Sequence, residues 1–364
     1  MNSVNQDNLK KANLPAWVKK GLTLTVAISL LTMVCLFLFS TSSNNSDTWK
    51  NLLSFRREHL LLLFAIIILS WLIEGLRIKM ITKALEEDIR LIDILRINLA
   101  TLFSGNVTPF TSGGLPTQVY LLHQKGMSVG KATAVATIRI TFSNLFFAIG
   151  GPLILYFFRH QILNKLGLTY LSGIINYILF VALLFSLFLI LFLLKPVKGG
   201  IIVNRFFQLK IIRKVLGGKA DAICQRVLKE LEEFHSCLTI LLRKNILHML
   251  IIIGLTVLYW ATFFCIAPAV LMGYGVKILG NILQIILLQF IVIFLISFIP
   301  IPGGSGLAEM GLYSVFAIYL PKHLLAIAVM IWRLISYHLN TLVGGVFFLR
   351  LLLGKEKKEA DLPG

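Results

Sequence analysis

Three charged residues lie deep inside otherwise apolar sequence: Arg139, Glu309 and Arg333. A guanidinium at the centre of a membrane helix costs about 2.5–3.5 kcal/mol on insertion scales. Neither arginine is therefore expected to face lipid; each should point into a protein interior or a wet cavity, where it can hold a phosphate. The competing structural role is to cap backbone carbonyls where a helix breaks. Glu309 must be paired with Arg333 or Arg139, or else protonated, because an uncompensated buried carboxylate is costly. Paired, it is structural; titrating, it could carry a proton or meet a cationic group. Arg333, Tyr337, Asn340 and Gly344 recur at i, i+4, i+7 and i+11 and so share one helical face, and Arg139 with Ser143 forms a shorter version.

Each arginine follows a Pro/Gly-rich interruption. PFTSGGLPTQ (109–118) precedes Arg139, and PIPGGSGLAE (300–309) precedes Arg333. Unpaired backbone groups cost several kcal/mol in hydrocarbon, so broken helices persist only inside protein or beside a cavity. A matched pair of breaks points to a transport site. Gly113, Gly114, Gly303, Gly304 and Gly306 permit tight turns and close ligand approach, and Pro116 and Pro302 suit helix starts or stops. A half-helix N-terminus offers free N–H groups to a phosphate, with Ser305 beside the second break and Gln118 and Asn106 as neutral donors near the first. The plain alternative is a hairpin turn. No GK[ST] follows, so neither break is a Walker loop. Ser305 and Glu309 are four apart and do not form a Ser-x-x-Glu capping box.

These residues must be positioned by membrane helices. The 364 residues are 57% hydrophobic and 14% charged, with several apolar runs of 18 or more residues, which predicts an all-α polytopic membrane protein. Full spans are expected at about 22–40, 59–76, 132–158, 170–194, 246–272 and 322–350, and re-entrant hairpins at about 92–124 and 282–319. The single membrane domain would cover 21–353, between a basic N-terminus (1–20) and a tail (354–364). Lys/Arg excess places both termini, 77–96 and 195–244 in the cytoplasm. Span, hairpin and arginine-bearing span then occur twice in opposite orientation, an inverted repeat suited to alternating access. The 195–244 segment, with eleven Lys/Arg and four Asp/Glu, reads as an interfacial amphipathic helix on anionic lipid or as a solvated linker helix. Glu74 and Arg77 are read as reaching toward the headgroups from the end of their span.

The net charge of +19 follows the positive-inside pattern rather than a nucleic-acid footprint. Four scattered cysteines imply neither a disulfide framework nor zinc. The apolar run from Leu22 to Phe39 exceeds a signal-peptide core and is followed by no small-x-small site, so it reads as an uncleaved first span. No Ser/His/Asp set, HExxH or acidic metal pair occurs, so no catalytic residues, metal or cofactor are expected.

GNVTPFTSGGLPTQVYLL (105–122), PIPGGSGLAEMGLYSVF (300–316) and WRLISY (332–337) resemble the lysylphosphatidylglycerol synthase transmembrane-region family, also called flippase-like membrane proteins. The resemblance covers roughly residues 20–350. In the multiple peptide resistance factor such a domain moves aminoacylated phosphatidylglycerol between leaflets. The resemblance thus implies a bacterial inner-membrane transporter of a phospholipid or lipid-linked headgroup, and implicates Gln118, Glu309 and Arg333. Many members carry a Gly-Glu pair in the first hairpin, where this chain has Gly-Gly-Leu-Pro-Thr-Gln. No soluble aminoacyl-transfer domain follows, so synthesis of the lysyl-lipid itself is not expected. The alternatives are an intramembrane headgroup or glycosyl transferase and a small-solute carrier. A homo-oligomer is compatible with the sequence.

Overall fold

A computed structural model describes residues 48–166 and 246–360, apart from Phe298 and Pro300, together with Val34, Leu184 and scattered positions in 224–240. The expected spans at 22–40 and 170–194, and most of 195–244, lie outside the described residues. Among those described there is no strand.

The chain begins with a short helix α1 (Thr48–Leu53) and a long α2 (Arg57–Ala84). Helix α3 (Leu91–Asn106) then meets a 3-10 turn at Pro109–Thr111, and α4 (Gly114–His123) folds back on it before α5 (Val129–Leu166). The second half opens with α6 (Ile246–Phe264) and α7 (Ile266–Gly273), and continues with α8 (Ile282–Ile296), a 3-10 turn at Pro302–Gly304, and α9 (Leu307–Phe316). It closes with α10 (Lys322–Arg333), a π-turn at Leu334–His338, and α11 (Leu339–Ala360). Four helical stretches are long and apolar enough to cross a membrane: Arg57–Ala84, Val129–Ile154, Ile246–Gly273 and Lys322–Leu351. They coincide with four of the six expected spans.

Each break is a helical hairpin, and the two are built alike. The first residue of each 3-10 turn is proline, which lacks an N–H and suits a helix start. The second residue is left-handed in both, Phe110 at φ 53°, ψ 22° and Gly303 at φ 60°, ψ 11°. Thr111 and Gly304 follow at φ 55° and 62°. The half-helices that leave the breaks, α4 and α9, are both ten residues long. Glycine holds this geometry without strain, whereas Phe110 and Thr111 bear the steric penalty of a Cβ in the left-handed region.

Apolar packing forms two cores, each centred on one half but drawing on both. One core gathers the end of α2, α3, α4 and the start of α5, through Ile94, Ile97, Leu122 and Val135. The other gathers α6 to α10 through Phe264, Phe294, Leu312 and Trp332. The halves are joined where α11 crosses α3: a Cβ at Gly344 would lie 2.3 Å from the Leu99 carbonyl oxygen and 2.9 Å from Phe103 Cβ. Only glycine permits that approach. They also meet where the two 3-10 turns lie against each other.

Candidate functional site

The meeting of the turns is organised by Arg333, the last residue of α10. Its Nε lies 2.8 Å from Glu309 Oε1, a charge contact off the line of a straight hydrogen bond. Its Nη2 donates to the Gly303 carbonyl (2.7 Å) and to Ser305 Oγ (3.2 Å), and its guanidinium sits 4.0 Å from the Tyr337 ring centroid. The structural role weighed for Arg333 is thus realised: it caps a carbonyl of the break, and it also satisfies the pairing expected of Glu309. Glu309 in turn accepts the Gly306 N–H through Oε2 (2.7 Å), so it closes the open N-terminus of α9. The capping partner is the residue after Ser305, which restores the three-residue spacing of a capping box. Arg333 and Glu309 are 5% and 4% exposed, so each neutralises a charge that would otherwise be stranded.

Tyr337 ties this cluster to the first break. Its hydroxyl donates to the Asn106 carbonyl (3.2 Å), while the Asn106 side chain donates to Thr341 Oγ1 (3.0 Å). A Cβ on Gly303 would lie 2.1 Å from the Tyr337 ring, so the second break needs glycine for space as well as for φ. Asn340 accepts from Trp71 Nε1 (2.5 Å) and donates to the Ser336 carbonyl (2.7 Å). Arg333, Tyr337, Asn340 and Gly344 all turn inward, as their spacing predicted. The helix carrying them is not continuous, because the π-turn begins just after Arg333. Such turns accommodate one extra residue and occur often at functional positions.

The first break is stitched by hydroxyls instead of charges. Ser104 Oγ donates to the Gly113 carbonyl (2.8 Å), Thr117 Oγ1 donates to Ser104 Oγ (2.7 Å), and Gly113 N–H donates to Thr108 Oγ1 (2.8 Å). A Cβ at Gly113 would fall 2.8 Å from the Ser104 carbonyl oxygen, and one at Gly114 would fall 3.5 Å from that of Thr101. Gly113 thus serves the close approach of two half-helices. Gln118 is fully buried on α4, as is Asn98 on α3, and neither amide has a hydrogen-bond partner among the described residues. Gln118 makes no hydrogen bond to the Arg333 cluster.

Arg139 does not join that cluster either. Its Nη1 donates to Glu74 Oε1 (2.9 Å), which also accepts from Arg77 Nη2 (2.6 Å). Arg77 Nη1 reaches Ser143 Oγ (3.0 Å) and Thr256 Oγ1 (3.1 Å), and its guanidinium lies 5.5 Å from the Tyr259 ring centroid. Glu74 and Arg77 are each 1% exposed, which corrects the reading that they extend toward headgroups. Pairing with Arg139 across helices offsets the desolvation that snorkelling would have avoided. Ser143 serves Arg77 and not Arg139. The spacing Glu74-x-x-Arg77 inside an apolar span was the available signal, since two costly residues three apart face the same side. Among the described residues no group of His, Cys, Asp and Glu could hold a metal.

The family model for the lysylphosphatidylglycerol synthase TM region matches residues 22–344, and the chain belongs to that family. It is also similar to a UPF0104 membrane protein of Archaeoglobus fulgidus, 26% identical over 327 residues, covering 88% of this chain and 94% of the relative.

Proposed function

We propose that this membrane protein moves a phospholipid or lipid-linked headgroup between leaflets, using the abutting breaks as the headgroup's crossing point. The observation that carries this reading is the contact between two broken helices, joined by Tyr337 and held on one side by Arg333 and Glu309. Arg333 lies eleven residues from the start of α10 at Lys322, about 16 Å along the helix and close to the middle of a 30 Å hydrocarbon layer. Polar backbone at that depth is costly unless it is bound within protein or serves a passing polar group. Arg333 already binds the Gly303 carbonyl and Glu309; a phosphate can replace those partners, and Glu309 can meet a proton or a cationic headgroup. Gly303, Gly304, Ser305, Asn106, Tyr337 and Asn340 would line the crossing, while Gly113, Gly114 and Gln118 would shape the first hairpin.

On this reading the hairpins are re-entrant from opposite sides, the protein sits in a bacterial inner membrane with both termini cytoplasmic, and anionic lipids hold its basic segments. The test is exchange of a fluorescent phospholipid in proteoliposomes, with Arg333→Ala and Glu309→Ala expected to abolish it in folded protein. Wild-type exchange in both variants removes the pair from the mechanism. Headgroup turnover on a radiolabelled lipid without leaflet movement would make the protein a transferase. Mass spectrometry of copurifying lipid would name the cargo.

A further inference from the structure

The Glu74 cluster has a charge imbalance that the Arg333 cluster lacks. Arg333 and Glu309 neutralise each other, but two guanidiniums, Arg77 and Arg139, share the single carboxylate of Glu74. One positive charge is left over. The depth of the cluster makes that excess consequential. Glu74 lies ten residues from the end of α2 at Ala84, Arg139 ten from the start of α5 at Val129, and Thr256 ten from the start of α6 at Ile246. Each therefore sits about 15 Å along its helix, where an unbalanced charge is poorly solvated. No carboxylate among the described residues other than Glu74 pairs with either guanidinium, and the apolar runs outside the described residues bring none by sequence. No Asp or Glu occurs between Asp93 and Asp221, nor between Asp7 and Asp47, so the apolar runs at 22–40 and 170–194 carry none.

The donors are also incompletely used. Glu74 occupies Nη1 of Arg139, and Arg139 has no other hydrogen bond among the described residues; its side chain keeps 12% exposure. The Nε atoms of Arg139 and of the buried Arg77 lack partners there as well. Arg77 is clamped by Ser143, Thr256 and the Tyr259 ring, so it is a fixed source of positive potential behind a more accessible guanidinium.

We infer that Arg77, Arg139 and Glu74 form a second anion site, distinct from the Arg333 cluster, that takes an oxyanion bearing a single negative charge. A phosphodiester matches both the charge and the fork of a guanidinium. Singly charged inorganic phosphate offers the same chemistry. Arg139 makes the contact, Arg77 supplies the field, and Glu74 competes with the anion for both. Occupied by a lipid phosphodiester, the site is a further station on the headgroup's route; that role rests on the transport reading, while binding itself does not.

The test is binding to the whole purified protein in uncharged detergent, with dihexanoylphosphatidylglycerol and inorganic phosphate as separate probes and sodium chloride as the ionic-strength control. Arg139→Gln is expected to weaken binding at least tenfold, and Arg139→Lys to restore part of it. Glu74→Gln should tighten binding several-fold, because it removes the competing carboxylate. A merely structural ion cluster would lower thermal stability in these variants and leave the dissociation constants unmoved, which overturns the site. So does wild-type protein that responds only to ionic strength, or Glu74→Gln protein that binds more weakly. Binding of both probes assigns a general oxyanion site, and binding of the phosphatidylglycerol probe alone assigns a lipid site. Arg333→Ala serves as the reference: it should leave this binding intact while abolishing exchange. Loss of the second site and failure of the transport reading are thereby told apart.

Discussion

Separate and joint removal of the buried pair at the second break has a predictable energetic signature. Arg333→Gln forfeits the contact with Glu309, the bonds to Gly303 and Ser305, and the Tyr337 ring. It also leaves Glu309 ionised or forces it to protonate. Breaking one side of a buried pair costs about 3–5 kcal/mol, and this substitution should fall at the upper end. Glu309→Gln should fall at the lower end. Its amide oxygen can still accept the Gly306 N–H, and Arg333 keeps the Gly303 carbonyl, Ser305 and the ring. The double variant strands no charge, so its cost should be less than the sum of the two by about 2–3 kcal/mol. Reversible unfolding in mixed micelles with increasing SDS reads all four free energies. Costs that add, or an Arg333 variant milder than the Glu309 variant, would refute the claim that these two charges exist for each other and for the break.

The backbone of the breaks offers two opposite substitutions. Gly303→Ala places a Cβ at φ 60° and against the Tyr337 ring; the left-handed penalty is about 1–2 kcal/mol before any clash, so melting temperature and lipid exchange should both fall. Phe110→Gly relieves the same penalty at the matching position of the first break, where the side chain is 59% exposed, and should raise unfolding free energy by about 1 kcal/mol. A drop in stability would show that the ring contributes more than the strain. At the start of α3, burial raises the Asp93 carboxyl, but hydrogen bonds from Lys125 and Arg90 and their charges outweigh it and hold the group below the ordinary aspartate range. Its contribution is therefore complete at neutral pH and fades as pH falls below about 4. Asp93→Asn should flatten that acid-side decline in melting temperature, and an unchanged profile would remove the Lys125 link from the hairpin's anchoring.

The architecture was legible wherever it follows from the cost of polarity in hydrocarbon. Apolar runs marked the four long helices, and Pro/Gly interruptions marked both hairpins, because neither feature depends on a distant partner. Arg333 and Glu309 were legible as costly residues for the same reason, but whether Glu309 pairs with Arg333 or with Arg139 was not; the structure chooses Arg333. The partner of Arg139 was not legible either. It sits 65 residues earlier, near where the apolar run (59–76) ends and snorkelling was a satisfactory local solution; the helix in fact continues to Ala84, and the packing of α2 against α5 buries the pair. The π-turn after Arg333 carries no compositional mark at all; its sequence, LISYH, is ordinary helix, and the turn contains Tyr337, whose contacts reach both breaks.

That contrast bears on how the two halves divide their work. The second break uses glycine at both matching left-handed positions and closes with an ion pair, which on the proposed reading exchanges for an anion. The first uses Phe110 and Thr111 at the same positions and closes with hydroxyls from Ser104, Thr108 and Thr117. An exchangeable charge contact permits a polar group to enter and leave, whereas a hydroxyl ladder closing a strained turn resists opening. The matching backbone angles point to a common repeat, and on the proposed transport reading the unlike side chains imply unlike duties: the second hairpin as the element that meets the cargo's charge, and the first as the strained abutment against which it moves. Replacing Ser104 and Thr117 together by alanine separates the two, because it loosens the abutment without touching a charge. Exchange in proteoliposomes should then become leaky, losing selectivity among headgroups while keeping its rate. A variant that keeps its selectivity would assign the first hairpin no part in holding the path closed.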